Sequence, residues 1–273
     1  MLASTKIHKI HQPQIEQLTG CRYAVFMSLV QKIRDFLDVG RRGRPFAFGP
    51  SAMVFITLMK IRQNLTVRSM EAITGMDAVT VSRCINRVIA VIGNLPLAKK
   101  ADGLLVVDTS SIRVATTDKE SYSGHKHQKC AKVQVLARSD GQVVDVGDSN
   151  RGSTHDKTIW NREHPRLKHL FDQLVLADKA YAGAKGEGQY LLRPVKHNES
   201  AYKSAPDESR TFNKGLSKLR VRIEHVFARL KTWKTFSGLF FYKWQRLSEF
   251  VRAIAVVQNM NLAFDQISKG GAP

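Results

Sequence analysis

From residue 103 onward the apolar residues stop recurring at helical spacing and begin to recur as β-branched runs. "GLLVVDTSSIRVA" starts the change. "AKVQVLARS" and "GQVVDVGDS" follow on either side of Asp140-Gly141, a pair that favours a tight hairpin turn. "HDKTIWNREH" reads as a helix start, and "QLVLADKAYAG" as a fourth strand of the buried type. The polar stretch 196–215 reads as a loop. A helix is expected from Ser217 to about Trp233, and a final amphipathic helix over 245–265. Three strands, a helix, a fourth strand and later helices predict a mixed α/β domain.

The first hundred residues carry a helical period instead. Leu18, Val25, Leu29, Ile33 and Leu37 predict a helix over 14–38, and "DVGRRGRPFAFGP" then reads as a linker. "SAMVFITLMKIRQ" restarts as an apolar helix with Ser51 as its expected N-cap. Next, Thr66 caps a short helix that stops at Gly75. Asp77 or Thr80 opens a second helix bearing Ser82, Arg83, Asn86 and Arg87. Short helix, glycine turn and a second helix with basic and amide side chains near its start form a helix-turn-helix pattern, with Arg83, Asn86 and Arg87 placed to face a DNA groove. An ordinary helical hairpin has the same outline. "GNLPLAKK" marks the boundary, which predicts an all-α domain over 1–100 and an α/β domain with C-terminal helices over 101–273.

Charge favours the nucleic-acid reading. Lys and Arg number 43 against 23 acids, a net charge of +20. Residues 1–100 hold 15 basic and 5 acidic residues and the remainder 28 and 18, so each part carries +10. A field of one sign over the whole chain favours a polyanion. Cys21, Cys84 and Cys130 lie far apart without a CxxC, which predicts reduced thiols. "MLASTKIHKIHQ" has no apolar signal-peptide core, and "FVRAIAVV", broken by Arg252, is too short to cross a membrane.

Against this charge the acids stand out. Asp108 closes the run "LLVVD" and Asp178 the run "LVLAD". An acid after a buried strand sits where α/β proteins place their sites, although a lone Asp more often caps a turn. Glu224 is the single acid among Arg220, Arg222, His225, Arg229 and Lys231. Three carboxylates from separate elements can hold two divalent cations. Hard oxygen ligands suit Mg²⁺ or Mn²⁺, and such a pair serves phosphodiester chemistry. Asp156 is the rival second acid, with a helix N-cap as its ordinary role. Asp145 and Asp148 are expected to face solvent. His125, His127 and Cys130 lack a second ligand pair at zinc spacing, so "GHKHQKC" is expected to be a basic loop.

Taken in order, the helix-turn-helix, "VVDTS", "LADKAYAG" and "RVRIEHVFARLK" resemble bacterial insertion-sequence transposases of the DDE type, in the group related to Harbinger-like transposases. The resemblance spans about residues 45 to 260. It implies a ribonuclease H-like catalytic domain that cuts and joins DNA with Mg²⁺ or Mn²⁺. Asp108, Asp178 and Glu224 would be catalytic and metal-binding, two ions to a site. A Tyr-Arg-Glu-Lys signature around the third acid matches Arg220, Glu224 and Lys231, which would place Arg220 and Lys231 on DNA phosphates; Ser217 stands at the Tyr position. The implied partners are double-stranded DNA, as transposon ends and target, and further copies of the chain in a homodimer or larger synaptic assembly. The implied location is the bacterial cytoplasm, at the nucleoid. A DNA-binding regulator of the same descent and a metal-dependent nuclease without strand transfer are the alternatives.

Overall fold

A computed structural model describes residues 10–38, 48–98, 103–170 and 172–268. Most of the linker sequence between Asp38 and Pro50 lies outside them. The chain divides into two compact units. One comprises 1–96, 230–241 and 249–273; the other comprises 97–229 and 242–248.

The first unit is helical: α1 (Gln12–Thr19), α2 (Tyr23–Asp38), α3 (Pro50–Gln63), α4 (Val67–Thr74) and α5 (Ala78–Gly93). The expected single helix over 14–38 is broken after Thr19, where Gly20 takes a left-handed φ of 66° that ends α1. α3 begins at Pro50 with Gly49 as its N-cap, two residues ahead of the expected Ser51, because proline's fixed φ suits the first helical position. α3 is buried from Ala52 to Ile61 and touches α1, α2 and α5. A helix apolar on all sides belongs at the centre of such a bundle. Thr66 caps α4 by accepting from Ser69 N at 3.0 Å, Gly75 ends it at φ 73°, and Asp77 caps α5 by accepting from Thr80 N at 2.9 Å. The short α9 (Lys234–Ser237) also packs on α3. The last helix, α10 (Leu247–Ser268), takes part in this unit although it follows the β-rich part in sequence: Arg252 Nε donates to Gly93 O at 2.6 Å and Asn261 Nδ2 to Gly20 O at 3.0 Å.

The second unit is mixed α/β. Its strands are β1 (Leu105–Arg113), β2 (Tyr122–Ser123), β3 (Gln128–Arg138), β4 (Val143–Val146), β5 (Asn150–Arg151), β6 (Val175–Leu176) and β7 (Leu191–Leu192). β3 pairs antiparallel with β1, β2, β4 and β5, and β6 runs parallel to both β1 and β7. The Asp140-Gly141 turn joins β3 to β4, with Gly141 at φ 89°. Between β5 and β6 lies α6 (Asp156–Leu167). Leu105, Val107, Leu136, Trp160, Val175, Ala177 and Tyr181 share one core on the α6 side of the sheet.

After β7 come α7 (Ser200–Ser204) and α8 (Pro206–Lys231). The expected loop over 196–215 is therefore mostly helix. Its polar residues form the exposed first turns of α8, which start at a proline in the favoured first position. Asn213 holds this part down, accepting from Val195 N at 2.8 Å and donating to Val195 O at 3.0 Å. Asp145 is also corrected. It is buried and chelated by Arg166 at 2.6 and 2.7 Å, since its strand packs against the polar edge of α6; Asp148 is exposed as expected.

Gly152 gives one stability test. A Cβ there would lie 2.6 Å from both Cys130 Sγ and Ser121 O, and 2.7 Å from Cys130 O. Two of these neighbours are backbone. Gly152→Ala should lower unfolding stability by about 1–3 kcal/mol. Gly215→Ala, in α8 with open space around it, should leave stability unchanged or raise it by roughly 0.5–1 kcal/mol. Thermal unfolding of both variants checks the contrast.

Candidate active site

The sheet brings two of the predicted acids level with each other. Asp108 does not end its strand as expected. β1 continues to Arg113, because β3 pairs with it along all nine residues. The parallel neighbour β6 pairs Leu105 with Val175 and Val106 with Leu176, and no further. Continuing that register by two residues sets Asp178 beside Asp108. Side chains alternate along a strand. Leu105, Val107, Val175 and Ala177 face the α6 core, so Val106, Asp108, Leu176 and Asp178 belong to the opposite face.

Each acid has one local tether. Asp108 Oδ1 accepts from Thr109 N at 2.7 Å. Asp178 caps the 3₁₀ turn Lys179–Tyr181 by accepting from Ala180 N. The Asp108 carboxyl is pushed up to about 6, chiefly by burial; the Thr109 N–H and Arg220 lower it, and the charges of Asp178 and Asp156 raise it. The hard carboxylate oxygens of Asp108, poorly solvated and within electrostatic reach of Asp178, are the donor type that suits a divalent cation.

Asp156 is close enough to be felt by Asp108, but it is already engaged. It stands at the first position of α6, after the N-cap His155, where the helix dipole favours an acid. Its Oδ1 accepts from Lys132 Nζ at 3.0 Å, and the same ammonium donates to Thr154 O at 2.8 Å.

Glu224 lies on α8, exposed, with no hydrogen bond or ion pair among the described residues. Leu216, Ile223, Val226, Phe227 and Leu230 form the buried stripe of that helix. At about 100° per residue, Arg220, Glu224 and Lys231 fall on one margin of the stripe and Arg222 and Arg229 on the other. Arg229 donates to Gly141 O at 2.7 Å, which fixes the second margin against the β3–β4 turn. Arg220 is within electrostatic reach of Asp108, and its buried Nε has no hydrogen-bond partner. Glu224 is one turn beyond it. Among the described residues no three His, Cys, Asp or Glu side chains stand close enough to hold a metal ion, so Asp108, Asp178 and Glu224 are not gathered into one set.

Sequence reading missed the groups behind the acids. Tyr181 is fully buried, with its hydroxyl 3.0 Å from Thr109 Oγ1, and Gln134 Nε2 donates to the same hydroxyl at 3.1 Å. A glutamine between valines in "KVQVL" was the available signal, since a buried polar side chain must have a partner. In the first unit, Arg83, Asn86 and Arg87 lie on the side of α5 away from its buried residues Val81, Cys84, Ile85, Val88, Ile89 and Ile92. His125 and His127 are exposed in the turn before β3, while Cys130 is buried within it. All three cysteines are free. Phe241 is exposed and Trp244 half-buried, whereas Trp233, Phe236 and Phe240 are core. No described helix is long and apolar enough to cross a membrane.

A family model described as DDE superfamily endonuclease matches residues 107–259, a span that holds Asp108, Asp156, Asp178 and Glu224. Two proteins are similar over much of their length. One, from Streptomyces albus G, is named as a transposase for insertion sequence element IS112. It is 28% identical over 224 residues, which cover 81% of this chain and 84% of that protein. The other, from Microchaete diplosiphon, is named as a transposase for insertion sequence element IS702. It is 26% identical over 166 residues, covering 59% of this chain and 58% of that protein.

Proposed function

Because the chain belongs to the DDE superfamily endonucleases, we propose that it is the transposase of a bacterial insertion sequence, binding the element's terminal inverted repeats, cutting at their ends and joining them to target DNA. The single observation that carries the reading is the parallel register of Val106 with Leu176, which, continued by two residues, would bring Asp178 beside Asp108. A mixed sheet in which β3 pairs antiparallel with four strands and β6 runs parallel to β1 and β7 supports a ribonuclease H-like domain.

Asp108, Asp178 and Glu224 would hold Mg²⁺ or Mn²⁺, two ions to a site. When bound, such ions supply an activated water or 3′-hydroxyl and stabilisation of the leaving oxygen. Glu224 completes the set when DNA lies on the Arg220–Glu224–Lys231 margin of α8. Arg220 supports this. A buried guanidinium nitrogen without an acceptor is costly, and a phosphate oxygen would satisfy it. The Lys132 ion pair supports Asp178 over Asp156 as the second acid, since an engaged carboxylate must be released before it can ligate. In the first unit, α4, the Gly75 turn and α5 act as a helix-turn-helix, with Arg83, Asn86 and Arg87 toward a groove. Two ends must be joined together, so the working form is a homodimer or larger synaptic assembly.

The test is to select preferred duplexes from random DNA, then to follow their products with Mg²⁺ and a target plasmid. Cut ends covalently joined to the plasmid are expected. Cutting without joining would mean a nuclease, and selective binding without cutting a regulator. Arg83→Ala should reduce preference for the selected duplex by about 1–3 kcal/mol if Arg83 reads a base edge.

A further inference from the structure

The ladder that aligns Asp178 with Asp108 stops short of both. Beyond Val106 and Leu176 no backbone pairing joins β1 to β6. Something else must fix the distance between the acids at the level where they stand. We propose that Tyr181 is that positioning residue, and that its buried hydroxyl sets the Asp108–Asp178 spacing and so the affinity of the pair for a divalent cation.

A continuous path of hydrogen bonds joins the two acids. Asp108 Oδ1 accepts from Thr109 N at 2.7 Å. Thr109 Oγ1 is 3.0 Å from the Tyr181 hydroxyl. Tyr181 N donates to Asp178 O at 3.2 Å, closing the turn that Asp178 caps through Ala180 N. Thr109 and Gln134 are direct cross-strand partners of β1 and β3, and the hydroxyl of Tyr181 reaches both from the core side of the sheet. Tyr181 thereby clamps the turn of the second acid onto the strand of the first, at a point one residue from Asp108 and three residues from Asp178. Around it the core is apolar, including Leu105, Val107, Leu136 and Trp160, and Trp160 meets the ring edge-on at 6.2 Å. Phenylalanine would satisfy that packing without a polar atom to desolvate. A tyrosine there is explained by what the hydroxyl holds.

The inference rests on the reading that Asp108 and Asp178 bind the cation. The test is an equilibrium Mn²⁺ titration of the full-length chain, followed by the spin-resonance signal of free Mn²⁺, with no activity measured. Wild type should bind Mn²⁺, and Asp108→Asn with Asp178→Asn should not; failure of this arm overturns the site itself. Given that arm, Tyr181→Phe should weaken binding about tenfold or more, the range for groups that orient metal ligands. Thr109→Val removes the same hydrogen bond from its other end without touching the core ring, and guards against a folding defect in Tyr181→Phe. The double variant should bind no more weakly than either single one, because both break one linkage. Tyr190→Phe is the control. That hydroxyl bonds His164 against the same core, away from the Thr109–Tyr181 bond, so Mn²⁺ affinity should be unchanged. Wild-type affinity in Tyr181→Phe or in Thr109→Val, an equal loss in Tyr190→Phe, or losses that add in the double variant would each overturn the proposal.

Discussion

Asp108→Asn, Asp178→Asn and Glu224→Gln should each lower strand cleavage by on the order of a thousandfold or more, while DNA affinity changes by no more than about threefold. The loss of a ligand that supports metal-ion stabilisation of several kcal/mol sets the first figure, at about 1.4 kcal/mol for each factor of ten. Affinity comes mainly from phosphate contacts elsewhere on a +20 chain, which sets the second. Asp156→Asn is the comparison, and its effect on cleavage should be far smaller because its carboxylate already serves Lys132. Asp108→Asn carries a further signature. Its carboxyl is raised from 3.8 to about 6 in the folded chain, mainly by burial. A raised acid contributes stability that is fully present below its unfolded pKa and lost as the pH climbs through the folded one. Ionised Asp108 therefore costs the metal-free protein stability above about pH 6. Asparagine should raise the unfolding stability at pH 7.5 by at most about 3 kcal/mol and should match wild type below about pH 4. Cleavage assays, filter binding and thermal unfolding at the two pH values check each part.

Arg220→Ala should lower cleavage about a hundredfold, more than it lowers binding. Its guanidinium lies near Asp108 with a buried nitrogen that lacks a partner, so a phosphate held there would be aligned with the acids. A misplacement of about 1 Å can cost on the order of a hundredfold in rate. Binding to matched and mismatched duplexes should weaken equally, and the slope of log affinity against log salt should fall by about one. Arg222→Ala is the control on the opposite margin of α8. Equal damage from the two arginines would show that the Arg220–Glu224 face does not meet DNA.

How much of this could be read in advance follows from where each signal resides. The α4–Gly75–Asp77–α5 segment was legible because helix caps are local chemistry, with Thr66 and Asp77 each bonding three residues ahead. The four principal strands were legible because short β-branched apolar runs bounded by turn signals such as Asp140-Gly141 read as buried strands. The start of α8 was not, because "PDESRTFNKG" buries only Ser209 and carries no apolar stripe. Asp178 was placed correctly after its strand, but Asp108 was not at the end of β1, since polar "DTSS" concealed pairing that β3 dictates. Lys132 on Asp156 and Tyr181 on Thr109 depend on register between distant segments, which no local pattern encodes. Glu224 was singled out by the charges around it and its face shared with Arg220 by their offset of four; the fold adds the buried stripe of Leu216, Ile223, Val226, Phe227 and Leu230 that this face borders.

The central claim is that Asp108, Asp178 and Glu224 hold one cation site on DNA. Iron-directed backbone cleavage measures this most directly: Fe²⁺ is bound to the full-length chain with its selected duplex, peroxide and ascorbate are added, and the cut peptides are sequenced. The account predicts cuts beside Asp108, Asp178 and Glu224, all suppressed by excess Mg²⁺. Cuts beside Asp108 and Asp156 that spare Asp178 and Glu224, or cuts clustered at His125 and His127, would contradict it.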